Sequence, residues 1–347
     1  MKIALLAPPY LSVPPKGYGG VERIVHLLSE GLVRKGHDVT LFAPGDSKTR
    51  AKLFSTFDKS IGNSGETKNN AFYPLMQYID CFSQAEKFDV IHNHAEHLAM
   101  FLADLVKTPV VHTLHSTLIE GETTPEKRMV LARFKNHNFV SISNNQREGL
   151  PILNFIGTVY NGIDIDKYEY VEKPKGDYLL WVGRITQKKG PLEAIEAAGK
   201  SGYKLVIAAV IDPIEEKYFT DVIKPKIDGD KVEFVGELHD DTLNTLYGNA
   251  FCLLSPISWH EPFGLVMVES MSCGTPVVAY RIGSTLEIIE DGVTGYVVDD
   301  QYQMIEAIKR IETIKRINCR KRVEDKFTDE RMILGYEKIY QKVLMKK

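Results

Sequence analysis

Short apolar runs separated by stretches of helical period recur from one end of this chain to the other, and the series restarts midway. That alternation constrains the fold most, because strands apolar on both faces belong to parallel sheets covered by helices. The first half predicts strands at Ile3–Ala7, Val39–Ala43, Val90–Asn93, Val110–Thr113, Phe139–Ile142 and Gly157–Tyr160. Helices are predicted at Val21–Lys35, Phe72–Glu86, Leu98–Val106 and Pro125–Asn136. The second half predicts strands at Tyr178–Val182, Lys204–Val210, Val232–Val235, Phe251–Leu254, Pro276–Ala279 and Gly295–Val297. Two doubly wound, Rossmann-like α/β domains follow, and 347 residues is a length at which one core divides into two. The join falls in Asp164–Asp177, where Lys, Glu, Pro and Gly replace the apolar runs, which sets the domains at 1–164 and 165–330.

A net charge of -3 gives no overall attraction to nucleic acid or anionic lipid. The four cysteines, Cys81, Cys252, Cys273 and Cys319, show no Cys-x-x-Cys pair and read as reduced, structural and cytoplasmic. The apolar run at Met1–Pro9 is too short to span a bilayer and reads as a first strand, and no run of about 18 uncharged apolar residues occurs. The polar stretch Asp58–Asn70 reads as a surface loop.

Three segments carry the chemistry. In His260-Glu261-Pro262-Phe263-Gly264-Leu265, Pro262 disfavours helix just before itself and an apolar helix starts at Leu265, so Gly264 and Leu265 should present free amides, a setting that favours an anion. Glu261 precedes that helix end and Glu269 lies roughly 7 Å up its axis, so a bound diphosphate would have a carboxylate on either side. In Gly183-Arg184-Ile185-Thr186-Gln187-Lys188-Lys189-Gly190, basic residues follow a strand, where open sheets bind ligands. In Lys16-Gly17-Tyr18-Gly19-Gly20-Val21-Glu22, a glycine loop opens a helix, but Glu22 stands where a dinucleotide fingerprint needs its third glycine, which argues against an NAD-dependent dehydrogenase. His112-Thr113-Leu114-His115 follows a strand, as does His92-Asn93-His94 with His97; the latter lacks an acidic or cysteine partner, so no metal is assigned to it.

The Glu261–Glu269 segment resembles the paired-glutamate motif of retaining nucleotide-sugar glycosyltransferases of family 4 (glycosyl transferases group 1), which have the GT-B fold. That resemblance implies two Rossmann-like domains facing each other across a cleft, acceptor side first and donor side second, with the helix in 331–347 crossing back to the first. It implies that Glu261 contacts the donor sugar, that Glu269 accepts from the ribose hydroxyls, and that amides at Phe263, Gly264 and Leu265 hold phosphate or sugar oxygens. Arg184 and Lys189 match the family's Gly-Arg-x-x-x-x-Lys-Gly pattern and would clamp the diphosphate, with Lys188 as the alternative cation. Gly19 and Gly20 would let backbone approach the donor's phosphates, and His115 would contact the sugar near the reacting carbon. Ser284 departs from the glycine pair that many relatives carry, which leaves the donor sugar open.

The implied reaction is front-face transfer of a hexose or N-acetylhexosamine from a UDP-, GDP- or ADP-linked sugar to a sugar, lipid-linked or small-molecule acceptor, without cofactor or metal, in glycoconjugate or cell-envelope polysaccharide synthesis. The alternatives are a GT-B module that binds a nucleotide-sugar without transferring it, and a nucleotide-sugar epimerase. The basic segment Glu126–Lys135 leaves peripheral contact with the inner face of a membrane open, against ordinary packing of Met129, Val130 and Phe134 inward. The basic run Lys315–Arg322 reads as a solvated face.

Overall fold

The computed structural model describes residues 1–62, 70–238 and 240–345. Most of the loop expected at Asp58–Asn70, including Asn63, Ser64 and Gly65, lies outside the described residues, as does Lys346 at the end of the expected last helix. The chain divides into two compact units, Met1–Ile163 together with Asp329–Lys347, and Asp164–Thr328.

The first unit contains a parallel sheet of β1 (Lys2–Leu6), β2 (Asp38–Phe42), β3 (Lys52–Phe54), β4 (Val90–Asn93), β5 (Val110–Thr113), β6 (Asn138–Ser141) and β7 (Phe155–Thr158). Their order is β3-β2-β1-β4-β5-β6-β7, so the winding direction reverses between β1 and β4. Ile3, Leu5, Val90 and Ile91 are fully buried, as central strands covered on both faces require. The longer helices are α1 (Gly20–Arg34), α2 (Phe72–Phe82) and α3 (Pro125–Arg133). Thr124 starts α3 by accepting from the Lys127 amide, with Pro125 in the first helical position. On α3, Val130, Leu131 and Phe134 pack inward while Met129 is 67% exposed, which corrects the expected inward set. Lys127 reaches Glu96 and Ser116, and Arg128 donates to the carbonyls of Leu118 and Gly149, so of the basic residues in this segment only Arg133 and Lys135 are exposed.

The second unit restarts the pattern with β8 (Tyr178–Ile185), β9 (Lys204–Ile211), β10 (Val232–Gly236), β11 (Cys252–Ser255), β12 (Val277–Tyr280) and β13 (Gly295–Val298). The order β10-β9-β8-β11-β12-β13 places the reversal between β8 and β11. Its longer helices are α4 (Pro191–Ser201), α5 (Asp240–Asn249), α6 (Leu265–Ser272), α7 (Gln301–Lys309) and α8 (Arg316–Lys326). The basic run on α8 is not a solvated face. Arg316 donates to the carbonyls of Val171, Ala250 and Gly248, Arg320 to those of Tyr168 and Ser272, and Arg322 to those of Ile288 and Glu287. Guanidinium groups with five donors satisfy carbonyls that loops and helix ends leave without a backbone partner.

The last helix, α9 (Asp329–Leu344), belongs to the first unit. Ile333 fills the space above Gly31 of α1, where an added Cβ would come within 2.0 Å of its Cδ1, so the small residue sets the approach of the two helices. Glu337 pairs with Lys35 and His37, and Tyr336 and Tyr340 are fully buried beneath the helix. Among the described residues no helix is long and apolar enough to cross a membrane, and all four cysteines are buried free thiols.

Candidate functional site

In open α/β sheets, ligands bind outside the carboxyl ends of the strands where the winding reverses. In the second unit that position lies between the segment leaving β8 and the segment leaving β11, and the sequence-derived donor residues come from these two segments. Arg184 stands at the end of β8 and Lys189 follows in a single 3₁₀ turn, Gln187–Lys189. Gly190 closes that turn with φ 71°, and a Cβ there would lie 2.1 Å from the Pro256 carbonyl oxygen, so only glycine lets this backbone pass.

Lys189 Nζ donates to both carboxylate oxygens of Glu261, at 2.6 and 2.7 Å, and sits 5.3 Å from the centre of the Trp259 ring. Arg184 donates to Asp212 at 2.8 Å. Asp212 stands just past β9. The register pairs Arg184 with Val210, which brings a carboxylate two residues further on within reach, a signal visible once the strands are aligned. Both cations that the sequence assigned to a diphosphate are therefore held by carboxylates here. Lys188, the alternative cation, contributes its carbonyl to the Ser258 amide.

Glu261 precedes α6, and its backbone is tied down from the far side. Ser284 donates its amide to the Glu261 carbonyl at 3.2 Å, and Gly283, at φ 60°, packs so closely that a Cβ would lie 2.5 Å from that oxygen. Among the described residues the buried Ser284 hydroxyl has no hydrogen-bond partner. Gly264 caps α6, and its carbonyl accepts from the amides of Met267 and Val268, which leaves those of Leu265 and Val266 as the unpaired donors of the first turn. Phe263 is buried against Phe327. One turn further on, Glu269 is 8% exposed and accepts from Tyr247 Oη at 2.9 Å. Tyr247 thereby helps to orient this carboxylate.

The remaining sequence-derived residues lie in the first unit, at the corresponding end of its sheet. Gly19 caps α1, and a Cβ there would come within 2.8 Å of Pro15, while Gly20 is the first residue of the helix. Glu22 is buried beneath this loop, and burial raises its carboxyl to about 7. His115 follows β5, and its Nε2 lies 2.9 Å from His94 Nδ1. Burial depresses His115 to about 4 and holds His92 and His94 well below the usual histidine range. Glu96 has φ 68°, a conformation costly for a side-chain-bearing residue, and reaches Lys127. Among the described residues, no group of three or more His, Cys, Asp or Glu is arranged to hold a metal.

Residues 163–326 match the family model described as glycosyl transferases group 1, and residues 18–167 match glycosyltransferase family 4. An uncharacterized glycosyltransferase of Methanocaldococcus jannaschii is 28% identical over 340 residues, covering 85% of this chain and 84% of that protein. Among solved structures, sucrose-phosphate synthase from Thermosynechococcus elongatus is similar with a TM-score of 0.82 at 21% identity, covering 100% of both chains. Anabaena HepE in complex with UDP-glucose is similar with a TM-score of 0.76 at 18% identity, covering 99% of this chain and 100% of that chain. The two parallel sheets and these likenesses give the GT-B fold.

Proposed function

We propose that the chain is a glycosyltransferase of group 1 that moves a hexose or N-acetylhexosamine from a nucleoside-diphosphate sugar to an acceptor hydroxyl with retention of configuration, as family 4 enzymes do. The observation that carries this reading is the convergence of Arg184, Lys189, Glu261 and the open amides of α6 at the switch point of one sheet.

The chemistry follows from charge. As the bond between C1 and the phosphate oxygen breaks, negative charge grows on the leaving diphosphate, and fixed cations and helix amides stabilise it. Arg184 and Lys189 are assigned that task, with no metal or cofactor. Because each holds a carboxylate, the diphosphate displaces or shares those partners, and Glu261 turns from Lys189 to the sugar hydroxyls. Glu269, oriented by Tyr247, receives the ribose hydroxyls. The acceptor oxygen bonds to C1 on the face the diphosphate leaves, and its proton passes to a phosphate oxygen. The resemblance gives the Gly19–Gly20 loop contacts to the donor's phosphates and His115 a contact to its sugar. The UDP-glucose bound by HepE makes a uridine donor the first to test.

Donor hydrolysis without acceptor tests the proposal. Nucleoside diphosphate should be released from one nucleotide-sugar, and proton NMR should show the α-anomer first from an α-linked donor. The β-anomer first would contradict retention; binding without release would favour a module that does not transfer sugar.

A further inference from the structure

His92 and His94 are 0% and 1% exposed, and they connect the last helix to His115 through one continuous chain of hydrogen bonds. His92 Nε2 lies 2.7 Å from Thr113 Oγ1, and His92 Nδ1 lies 2.7 Å from Tyr340 Oη and 3.2 Å from His94 Nε2. His94 Nδ1 then meets His115 Nε2 at 2.9 Å. The rings overlap as well, with centroids 3.9 Å apart for His92 and His94 and 5.2 Å for His94 and His115.

Counting hydrogens fixes the direction of this chain. Thr113 has one hydroxyl hydrogen and donates it to Tyr336 Oη at 3.2 Å, so its oxygen accepts from His92 Nε2–H. A neutral imidazole carries one N–H, so His92 Nδ1 is an acceptor, and its single lone pair is shared between Tyr340 Oη–H at 2.7 Å and, more weakly, His94 Nε2–H at 3.2 Å. His94 Nδ1 is then an acceptor too, and His115 must donate to it from Nε2. The opposite direction asks one His92 N–H to serve both Tyr340 and His94, and leaves the Tyr340 hydrogen without an acceptor in a fully buried site, which is costly. Burial also disfavours an added proton on any of the three rings, so the chain stays neutral near pH 7.

We propose that His92, His94 and Tyr340 are positioning residues that hold His115 as its Nε2–H tautomer, so that His115 Nδ1 faces a substrate hydroxyl as an acceptor. Among the described residues His115 Nδ1 makes no hydrogen bond, and the residue is only partly buried. The ligand chemistry is thereby specified: a hydroxyl that donates, rather than a carbonyl or phosphate oxygen that needs a donor. The role in transfer rests on the reading of His115 as a sugar contact; the tautomer does not.

Long-range proton–nitrogen NMR of protein labelled with ¹⁵N in histidine, at pH 7, tests this directly, with the His115 signals assigned through His115→Gln. Wild type should show His115 protonated at Nε2 and bare at Nδ1. Tyr340→Phe removes one of the two hydroxyls that set the direction of the chain, Thr113 being the other, and should admit a minor population of the second His115 tautomer. Should the wild-type proton sit on Nδ1, or on both nitrogens, the proposal is overturned whatever the variant does. An unchanged His115 spectrum in folded Tyr340→Phe would overturn the part given to Tyr340. With a donor that turns over, Tyr340→Phe should lower kcat/KM roughly three- to tenfold, the scale of one neutral hydrogen bond. Absence of turnover in wild type would count against the proposed function while leaving the NMR result to decide the tautomer.

Discussion

Lys189 Nζ lies 2.6 and 2.7 Å from the two carboxylate oxygens of Glu261, although the first follows β8 and the second follows β11. The pair closes over the switch point of the second sheet and neutralises itself there. With side chains only 15% and 18% exposed, neither group can turn freely to water. Removing one therefore leaves the other poorly solvated, and ligand binding must rearrange the pair rather than add to it.

A double-mutant cycle should register this coupling. Lys189→Met alone should cost about 1–3 kcal/mol of stability, because it leaves a half-buried carboxylate unpaired. Lys189→Met with Glu261→Gln should cost less than the sum of the single changes, while transfer activity is lost in all three proteins. Urea unfolding checks the first statement and donor turnover the second.

Arg184→Ala should lower kcat by about a hundredfold, the scale seen when one preorganised group that stabilises transition-state charge is removed. Steady-state kinetics with saturating donor would show it. Turnover near that of wild type would remove Arg184 from the clamp.

Glu269→Ala should act mainly on donor affinity. It also strips Tyr247, which is fully buried, of its acceptor, so a stability loss of about 1–3 kcal/mol accompanies the rise in donor KM. Tyr247→Phe separates the two effects, since it keeps the carboxylate.

Two buried groups should give opposed slopes of stability across nearly the same pH range, from about 4 to about 7. Burial raises Glu22 from 4.5 to about 7, so between those values the folded chain holds a proton the unfolded chain has released, and this contribution declines as pH rises. His115 is depressed from 6.5 to about 4, so the unfolded chain takes up a proton that the folded chain refuses, and stability declines as pH falls through that window. Glu22→Gln should flatten the first slope and His115→Gln part of the second, measured as unfolding free energy across a pH series.

Two small residues at the site should respond in opposite directions. Gly190→Ala should destabilise by at least about 2 kcal/mol, because it combines positive φ with a clash against the Pro256 carbonyl. Ser284→Ala deletes a buried hydroxyl that has no partner and should be neutral or stabilising by about 1 kcal/mol. Thermal unfolding of both variants checks the pair.

Two features of this fold were readable because they follow from local rules. Apolar runs marked twelve of the thirteen strands found among the described residues, and Pro262 with the apolar run after it marked the start of α6 at Leu265. The strand missed, Lys52–Phe54, is three residues at a sheet edge with one exposed apolar side chain, so no periodicity could show it. β7 spans Phe155–Thr158 and so begins two residues before the expected Gly157, which lies under Ile339 of α9. The residue types of the site were legible for the same local reason, but their partners were not. That Asp212 would hold Arg184, that Glu261 would hold Lys189, and that three histidines would join into one chain depend on strand order. Likewise Arg316, Arg320 and Arg322 read as a charged surface until the carbonyls they serve are placed opposite them.

The measurement that bears most directly on the account is thermal unfolding of wild type and Glu269→Ala with UDP, GDP, ADP and their sugar conjugates. A ligand that binds only the folded chain raises its midpoint. The account predicts a rise with one nucleotide family in wild type and little or none in Glu269→Ala. No rise with any of them, or an equal rise in both proteins, would contradict a nucleotide-sugar site at the start of α6.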